Sequence, residues 1–371
     1  MKRRAVLAGL AALPAAAAPS FSAPAPAPGP ATGPAITKGI RELKMVTPWP
    51  KGSPGLDSSA RRLARLITEA SDGHLRVTVF GDGEFVDAFE IFDAVAAGIA
   101  DMYHSPDYYW QAKVPAFSFF PAVPFGLTAI EVAAWVHRGG GQALWDELSG
   151  QFNIKPLLAL NTGVQMGGWF AHELTSVADW NGLRCRIPGI GGEVIKHLGA
   201  IVVNLPGGEI VPSMRSGAID AAEWVCPWLD LAYGLHEAAK FYYYPGFHEP
   251  GAAVTLGINR KLWDSFTPSE RRLIEVAAAA EYGLSLTDFT YENGIALRTL
   301  VDEHGVQVRK FSDPILKELG RISEQVLADL GNNDPLTRRV YDSFVANRRR
   351  LMDWGEISSR AFYNARSLAL G

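Results

Sequence analysis

Three short segments between residues 161 and 228 carry most of the polar chemistry of this chain. They are Asn161-Thr-Gly-Val-Gln165-Met-Gly-Gly-Trp169-Phe170, Arg184-Cys-Arg186-Ile-Pro188-Gly and Asp220-Ala-Ala-Glu223-Trp224-Val-Cys226-Pro227-Trp228. Each sets one polar group among small or aromatic neighbours: the Gln165 amide, the Arg186 guanidinium and the Glu223 carboxylate. A binding cleft with apolar walls and a few convergent polar groups has this composition. A buried Arg–Glu pair inside an α/β core would explain Arg186 and Glu223 equally well.

Strand and helix patterns alternate on both sides of these segments. Residues 42–104 read strand, helix, strand, helix, strand, with the second helix predicted over Val86–Ala97. The rhythm repeats over residues 183–224 and ends in a strand predicted over Ala218–Trp224. Such alternation predicts an α/β protein with parallel sheets. At 371 residues the chain exceeds one ordinary domain, so we expect two lobes.

The C-terminal third is predicted to be helical. Thr267-Pro-Ser-Glu270 is a capping signal, and the helical pattern after it runs to about Glu303. At 1.5 Å per residue this helix is roughly 50 Å long, enough to cross both lobes. From Asp313 onward an apolar stripe follows at helical spacing, and it packs either on the chain's own lobes or on a second copy. The stripe consists of Ile315, Leu319, Ile322, Val326 and Leu330.

The N-terminus has the form of an export signal. Lys2-Arg3-Arg4 precedes an apolar run, Ala5 to Ala18, that is too short to span a bilayer. We predict a signal peptide over residues 1–23 and a Pro/Ala-rich spacer over residues 24–40. The general secretory and twin-arginine routes both fit. No later run of about 18 apolar residues follows, so we expect a soluble, exported protein of the periplasm.

Composition and cysteine usage exclude several classes of protein. A formal net charge of −4 gives no reason to expect a nucleic acid partner. Two cysteines cannot build a disulfide-dense scaffold, and without a Cys-x-x-Cys pair they cannot form a thiolate zinc site. An exported protein could join Cys185 and Cys226 in a disulfide, but we expect two free, buried thiols.

Enzyme signatures are missing from the sequence. It contains no Gly-x-Ser-x-Gly elbow, no His-Glu-x-x-His and no phosphate-binding Gly-x-x-x-x-Gly-Lys. Gly189-Ile-Gly191-Gly192 resembles a dinucleotide fingerprint, but Val194 stands where the third glycine belongs. A binding protein is therefore favoured over an enzyme. The alternative is a hydrolase or lyase that uses Glu223 as its general base.

Six motifs, in order, resemble those of extracytoplasmic solute receptors of tripartite ATP-independent periplasmic (TRAP) transporters, the DctP-like family. The similar branch binds 2-oxo and 2-hydroxy monocarboxylates such as pyruvate or lactate. Besides the three opening segments, the motifs are Ala122-Val-Pro-Phe-Gly-Leu127, Gly139-Gly-Gly141 and Tyr244-Pro-Gly-Phe-His-Glu-Pro-Gly251. The resemblance runs from about Leu43 to the C-terminal helices. One departure is Phe247, where a tryptophan is common.

The resemblance implies a two-lobed fold of the periplasmic-binding-protein type II-like class, with a long inter-lobe helix and extra C-terminal helices. Lobe I would comprise residues 41–160 plus 249–285, and lobe II residues 161–248 plus 286–330. Residues 331–371 would form C-terminal helices that dimerise, as in the related branch, so we expect a homodimer. The protein would deliver its ligand to TRAP membrane permease subunits and would not be an enzyme.

The resemblance also assigns roles to individual residues. Arg186 would clamp the substrate carboxylate, and Gln165, Glu223 and the Trp224 backbone carbonyl would hold a cation that also touches the ligand. The other expected substrate contacts are Asn161, Tyr108, Tyr109, Trp169, Trp224 and His248, with Gln165 belonging to both sets. Hard oxygen donors, one protein charge and no nitrogen or sulfur donor favour Na⁺, with Ca²⁺ as the alternative.

Overall fold

The computed structural model describes residues 39–371, which contain two β-sheets. The predicted signal peptide, residues 1–23, and all of the predicted spacer except its last two residues lie outside the described residues. The strands are β1 (Arg41–Val46), β2 (Leu75–Phe80), β3 (Met102–Ser105), β4 (Ile154–Asn161), β5 (Gly168–Phe170), β6 (Arg184–Arg186), β7 (Ile201–Val203), β8 (Ala221–Ala222), β9 (Phe241–Tyr244), β10 (Ala253–Asn259) and β11 (Gln307–Lys310).

The first sheet has the strand order β2-β1-β3-β10-β4. Strand β1 pairs in parallel with β2 and β3, whereas β10 runs antiparallel to both of its neighbours, β3 and β4. Every residue of β4 and β10 is buried, which explains why both strands read as nearly continuous apolar runs. The expectation of a purely parallel sheet is therefore wrong, because β10 returns from the second half of the chain and inserts in the opposite direction.

The second sheet has the order β11-β9-β5-β8-β6-β7. Its strands are short, and β5 is antiparallel to both β8 and β9. Strand β5 was not predicted, and the strand predicted over Ala218–Trp224 is reduced to Ala221–Ala222. The strands of predicted lobe I lie in the first sheet and those of predicted lobe II in the second, while the residue boundaries of the lobes remain a prediction.

Helices cover both sheets and form the C-terminus. They are α1 (Asp57–Ala70), α2 (Ile91–Ala97), α3 (Ala129–Arg138), α4 (Gly141–Gly150), α5 (Gly189–Lys196), α6 (Gly207–Arg215), α7 (Pro227–Tyr233), α8 (Leu235–Ala238), α9 (Arg260–Ser265), α10 (Pro268–Asp302), α11 (Asp313–Gly331), α12 (Pro335–Gly355) and α13 (Ala361–Leu370). Helix α2 begins five residues later than predicted. Within residues 39–371, no helix combines the length and hydropathy that a membrane span requires.

Helix α10 connects the two halves of the molecule, as predicted. Its 35 residues span about 52 Å, and the capping box between Thr267 and Glu270 starts it. Near its N-terminus Ile274 and Ala278 belong to the apolar core under the first sheet, whereas Phe289 and Leu300 belong to the core beside the second sheet. One continuous helix therefore contributes to both cores.

The apolar stripe of α11 packs inside its own chain. Ile315, Leu319, Ile322 and Val326 are buried in the main core, where α11 contacts α5 and α12. This stripe is therefore not a dimer surface. The apolar side chains that remain exposed in this region lie further along, at the end of α12 and on α13: Met352, Trp354, Ile357, Phe362, Tyr363, Leu368 and Leu370.

A buried ion pair attaches α1 to α10. The Arg62 guanidinium donates to both carboxylate oxygens of Glu281 at 2.6 and 2.7 Å and to Asp288 at 2.6 Å. Ser59 donates a further hydrogen bond to Glu281, whose side chain is completely buried. Because desolvation dominates at this carboxyl, its pKa is raised above the usual value even beside Arg62.

Replacing Arg62 with methionine should destabilise the fold by about 3 kcal/mol, because Glu281 is left buried without its counter-charge. The matched control is Arg65→Met on the same helix, where the arginine side chain is 60% exposed and 3.8 Å from Glu69. That change should cost less than about 0.5 kcal/mol. Urea denaturation of both variants measures the difference, and equal midpoints would contradict the assignment.

Candidate functional site

A small cavity lies between the two sheets, and its walls come from both. The space inside it that a water-sized sphere can reach is only about 20 Å³, so the cavity is narrow in this structure. Five of the predicted ligand-binding residues line it: Tyr108, Tyr109, Gln165, Arg186 and Trp224. The rest of the lining is mostly apolar: Trp49, Leu56, Pro106, Thr162, Val225, Ala252, Ala253 and Val254.

Arg186 is the last residue of β6 and is buried. Its Nη1 donates to the Glu223 carbonyl oxygen at 2.7 Å and to Glu223 Oε2 at 3.3 Å, while its Nε donates to the Leu205 carbonyl at 3.1 Å. The Trp224 ring covers the guanidinium, with its centroid 5.2 Å from Cζ. Nη2 is buried and has no hydrogen-bond partner within residues 39–371. Nε and Nη1 are thus held by the protein, and Nη2 remains available to donate to an anion.

Glu223 follows β8 directly, and its amide donates to the Arg186 carbonyl at 2.8 Å. Burial of the carboxyl raises its pKa to about 8, although the nearby Arg186 charge acts in the opposite direction. One oxygen, Oε2, faces Arg186, and the other, Oε1, has no hydrogen-bond donor among the described residues. Oε1 lies 3.4 Å from His248 Nε2.

Gln165 provides the second buried oxygen without a donor. Its Nε2 donates to Thr162 Oγ1 at 3.1 Å, which directs that end of the amide, whereas its Oε1 is unpaired within the described chain. The next residue, Met166, donates its amide to the Val225 carbonyl at 3.2 Å, so the Gln165 loop lies beside the Glu223–Val225 loop. Two hard oxygens in need of a positive partner fit the predicted cation ligands.

Tyr108 and Tyr109 sit on a single 3₁₀ turn, Asp107–Trp110, that follows β3. Their rings meet edge to face at a centroid distance of 5.1 Å. Burial raises the pKa of Tyr109 to about 12 and that of Tyr108 well above its usual value. Both phenols therefore stay neutral near pH 7 and can donate hydrogen bonds to an anion beside Arg186.

Asn161 and Trp169 are not brought to the cavity, so we remove them from the set of substrate ligands. The Asn161 side chain donates to the Gly251 carbonyl and to Tyr282 Oη, both at 2.9 Å, and accepts from the Gly163 amide. Trp169 stacks on Tyr242 at 4.0 Å and is completely buried. Their polar atoms are committed to holding β4 and β5 in place.

Asp230 on α7 is a supporting residue that sequence reasoning missed. Its Oδ2 accepts from Trp169 Nε1 at 2.9 Å and from Tyr242 Oη at 2.6 Å, and its Oδ1 accepts from the Val225 amide at 3.2 Å. Burial raises the pKa of this carboxyl to about 7. Asp230 thus fixes the backbone that follows Glu223 and Trp224 against two strands of the second sheet.

His248, a predicted substrate contact, and Glu249, which was not predicted, lie beside Glu223 and do not line the cavity. One ligand atom each of Glu223, His248 and Glu249 lies within 4.8 Å of the others. Burial raises the pKa of Glu249 to about 8, with the Glu223 charge adding to the effect, and lowers the pKa of His248 to about 4. The expectation that the site lacks a nitrogen donor is therefore wrong. The Gly246-Phe-His-Glu-Pro250 segment contained both residues, but its sequence does not show that they are buried together.

The two cysteines are free and buried, as predicted. Burial raises the pKa of both thiols well above the usual value. Neither side chain lines the cavity.

Comparison with known proteins identifies the family. Residues 45–334 match the DctP family, described as bacterial extracellular solute-binding protein, family 7. The chain belongs to this family. The resemblance inferred from the motifs is confirmed. A relative from Nostoc, a monocarboxylate 2-oxoacid-binding periplasmic protein, is 43% identical over 243 residues, which span 66% of this chain and 66% of that relative.

Solved structures of TRAP solute-binding proteins confirm the two-lobed α/β fold. One from Bordetella bronchiseptica, a mixed-occupancy dimer with calcium and picolinate, is 32% identical at a TM-score of 0.87, covering 90% of this chain and 98% of its own. One from Colwellia psychrerythraea with calcium and pyruvate is 34% identical at 0.85, and one from Pseudoalteromonas atlantica with sodium and pyruvate is 33% identical at 0.85. Each of these two matches covers 88% of this chain and 99% of the other.

Proposed function

We propose that this protein is a periplasmic TRAP receptor that captures a small 2-oxo or 2-hydroxy monocarboxylate, with a bridging cation, and delivers it to the membrane permease. The observation that carries the proposal is Arg186, buried in the wall of a small cavity with its Nη2 unpaired. The Nostoc relative named for 2-oxoacids and the two neighbours holding pyruvate support the same ligand class. The signal-like N-terminus and the extracellular family description support export.

Binding follows from the donors that surround the cavity. Nη2 of Arg186 donates to the ligand carboxylate, and the neutral Tyr108 and Tyr109 hydroxyls can donate to the same anion. Gln165 Oε1, Glu223 Oε1 and the Trp224 carbonyl would hold the cation, which supplies positive charge to the ligand oxygens. Trp49, Leu56 and Val254 form apolar wall that excludes water and limits ligand length.

The cation is proposed to be Na⁺ or Ca²⁺, since each accompanies pyruvate in one neighbour. The sequence favoured Na⁺ because the predicted cation ligands included only one protein carboxylate, that of Glu223. Glu249 adds a second within the buried cluster, so with the ligand there are three carboxylates against one guanidinium, Arg186. A divalent ion neutralises this arrangement and a monovalent ion does not, which shifts our proposal toward Ca²⁺.

A hydrolase or lyase with Glu223 as general base is the alternative function. The pKa of about 8 for Glu223 and the adjacent His248 favour it, because a base titrating near neutral pH is suited to proton abstraction. Mass spectrometry of pyruvate or lactate recovered after incubation decides between the two. Unchanged ligand is expected of a receptor, whereas a turned-over product would establish the enzyme.

The variant Arg186→Lys should weaken pyruvate binding by about 2–4 kcal/mol, because a lysine keeps the charge but loses the planar fork. The matched control is Arg184→Lys on the same strand, where the arginine pairs with Asp220 at the surface. That change should alter affinity by roughly twofold or less. Calorimetry measures both variants, and near wild-type affinity in Arg186→Lys would show that Arg186 only stabilises the fold.

Pyruvate affinity should depend on the cation, and cation affinity should depend on pyruvate to the same degree. Titration in choline, sodium and calcium buffers, with chelator controls, measures this linkage. Glu223→Gln should weaken binding even though it removes a negative charge, because losing the cation outweighs losing the repulsion. Equal pyruvate affinity in all three buffers would exclude a bridging ion.

We propose a homodimer formed through the exposed end of α12 and α13. Trp354 is 65% exposed, Leu368 90% and Leu370 83%, and no residue of α13 is buried within its own chain. A contiguous apolar surface of this kind marks an association site. The dimeric state of the Bordetella bronchiseptica neighbour supports the assignment.

A chain that ends at Gly355 should therefore be monomeric where the full chain is dimeric. Sedimentation velocity at micromolar concentration measures the difference. The shortened chain should retain pyruvate binding, because the cavity is lined by residues from 49 to 254. A monomeric full-length protein would exclude the proposed interface.

A further inference from the structure

Three buried side chains beside the cavity form a cluster, of which the proposed function uses only Glu223 as a cation ligand. Glu223 follows β8, while His248 and Glu249 lie on the loop between β9 and β10. Their exposed fractions are 2%, 1% and 3%. One ligand atom from each lies within 4.8 Å of the others, and Glu223 Oε1 is 3.4 Å from His248 Nε2.

Most of the polar atoms in this cluster have no partner. Both His248 nitrogens, Glu223 Oε1 and Glu249 Oε2 make no hydrogen bond to any described residue. Polar atoms buried in this way are rare in folded proteins, because each loses its interaction with water. A neutral imidazole carries its proton on one nitrogen, so three acceptors remain: the other nitrogen of His248, Glu223 Oε1 and Glu249 Oε2. One positive partner would satisfy all three.

The backbone holds these side chains in place without using the unpaired atoms. The Glu249 carbonyl accepts from the Gln165 amide at 3.1 Å, and the Glu249 amide donates to the Gly246 carbonyl at 3.3 Å. His248 packs against the first turn of α5, where a β-carbon on Gly191 would come within 2.7 Å of His248 Cβ. The loop that presents His248 and Glu249 is therefore closely packed on both sides.

One of the three donor spacings already suits a shared metal ion, and the other two are at most 4.8 Å. Two donors that each lie about 2.0–2.2 Å from a tetrahedral ion are roughly 3.3–3.6 Å apart, and the 3.4 Å separation of Glu223 Oε1 and His248 Nε2 falls in that interval. One imidazole and two carboxylates, with a fourth position open, are a donor set that zinc and related ions prefer. The Gln165, Glu223 and Trp224 set has only oxygen donors and suits Na⁺ or Ca²⁺ instead.

We propose that the cleft contains a second cation position, formed by Glu223, His248 and Glu249, that selects a divalent transition-metal ion such as Zn²⁺ or Co²⁺ over Ca²⁺. Of the two carboxylate oxygens of Glu223, Arg186 contacts only Oε2, so Oε1 is left for the metal. Two carboxylates and one guanidinium give a net negative charge that a divalent cation offsets. Because both cation sets use Glu223, an ion in one position competes with an ion in the other.

The test uses metal-free protein without a polyhistidine tag and without any organic acid, so it does not depend on the carboxylate ligand. Co²⁺ binding is followed by visible absorption, and Ca²⁺ binding by calorimetry. His248→Gln should lower Co²⁺ affinity at least about tenfold and reduce the ratio of Co²⁺ to Ca²⁺ affinity. Gln165→Leu should raise the same ratio, because it removes an oxygen donor from the other set only.

Two further variants keep the result interpretable. Glu249→Gln should also reduce Co²⁺ affinity, so the conclusion does not rest on the folding of one variant, which circular dichroism checks. His137→Gln is the matched control, because His137 is an exposed histidine in the last turn of α3 and belongs to neither cation set. It should leave Co²⁺ affinity within about twofold of wild type.

The proposal is overturned if His248→Gln binds Co²⁺ as tightly as wild type. It is also overturned if the ratio of Co²⁺ to Ca²⁺ affinity does not fall in His248→Gln and rise in Gln165→Leu. It is also overturned if wild type binds Co²⁺ no more tightly than Ca²⁺. Sodium- or calcium-dependent pyruvate binding would survive each of these results, so the metal position and the receptor function fail separately.

Discussion

The burial of Arg186 beside Glu223 is the interaction on which the cleft depends. Arg186 uses the Glu223 carbonyl, Glu223 Oε2 and the Leu205 carbonyl, which ties the ends of β6 and β8 to the loop before α6. Buried ion pairs of this kind add little net stability, because apolar residues of equal volume serve a core as well or better. Instead of stability, the arrangement provides a buried donor, Nη2, that has no hydrogen-bond partner among the described residues. A positive group is held rigid and dry, so an anion reaching it need not order the site.

Charge and geometry divide the cleft into parts with different roles. The aromatic turn at Tyr108 and Tyr109 and Nη2 of Arg186 form the region proposed for an anion. Gln165 and Glu223 each hold one buried, unpaired oxygen, and these oxygens are proposed to face a cation. Asp230 belongs to neither part, but it holds the Val225 backbone against Trp169 and Tyr242. Small shifts in that support would move the Glu223 carboxylate and the Trp224 carbonyl together. Rigid support of this type is what gives a binding site its specificity.

The sequence predicts the local features of this structure better than the tertiary ones. The capping box of α10 is read from adjacent residues, and this helix was placed correctly. Strand β5 has only three residues, and β10 runs antiparallel, because pairing with distant strands determines both. The same limit applies to the cleft. Motif composition located Arg186, Gln165 and Glu223, but Glu249 is revealed only by burial, and Asn161 and Trp169 are excluded only by their internal hydrogen bonds.

The position of β10 has a consequence for how the chain folds. Strand β10 lies inside the first sheet, where it pairs with β3 and β4. In the sequence, however, 91 residues (162–252) separate it from β4. In a chain that emerges from its N-terminus, β3 and β4 therefore present unpaired edges until most of the second sheet has also emerged. Exposed edges and long-range pairing both slow folding and favour aggregation. A chaperone that keeps the first 250 residues extended would prevent these unpaired edges from aggregating before β10 is available.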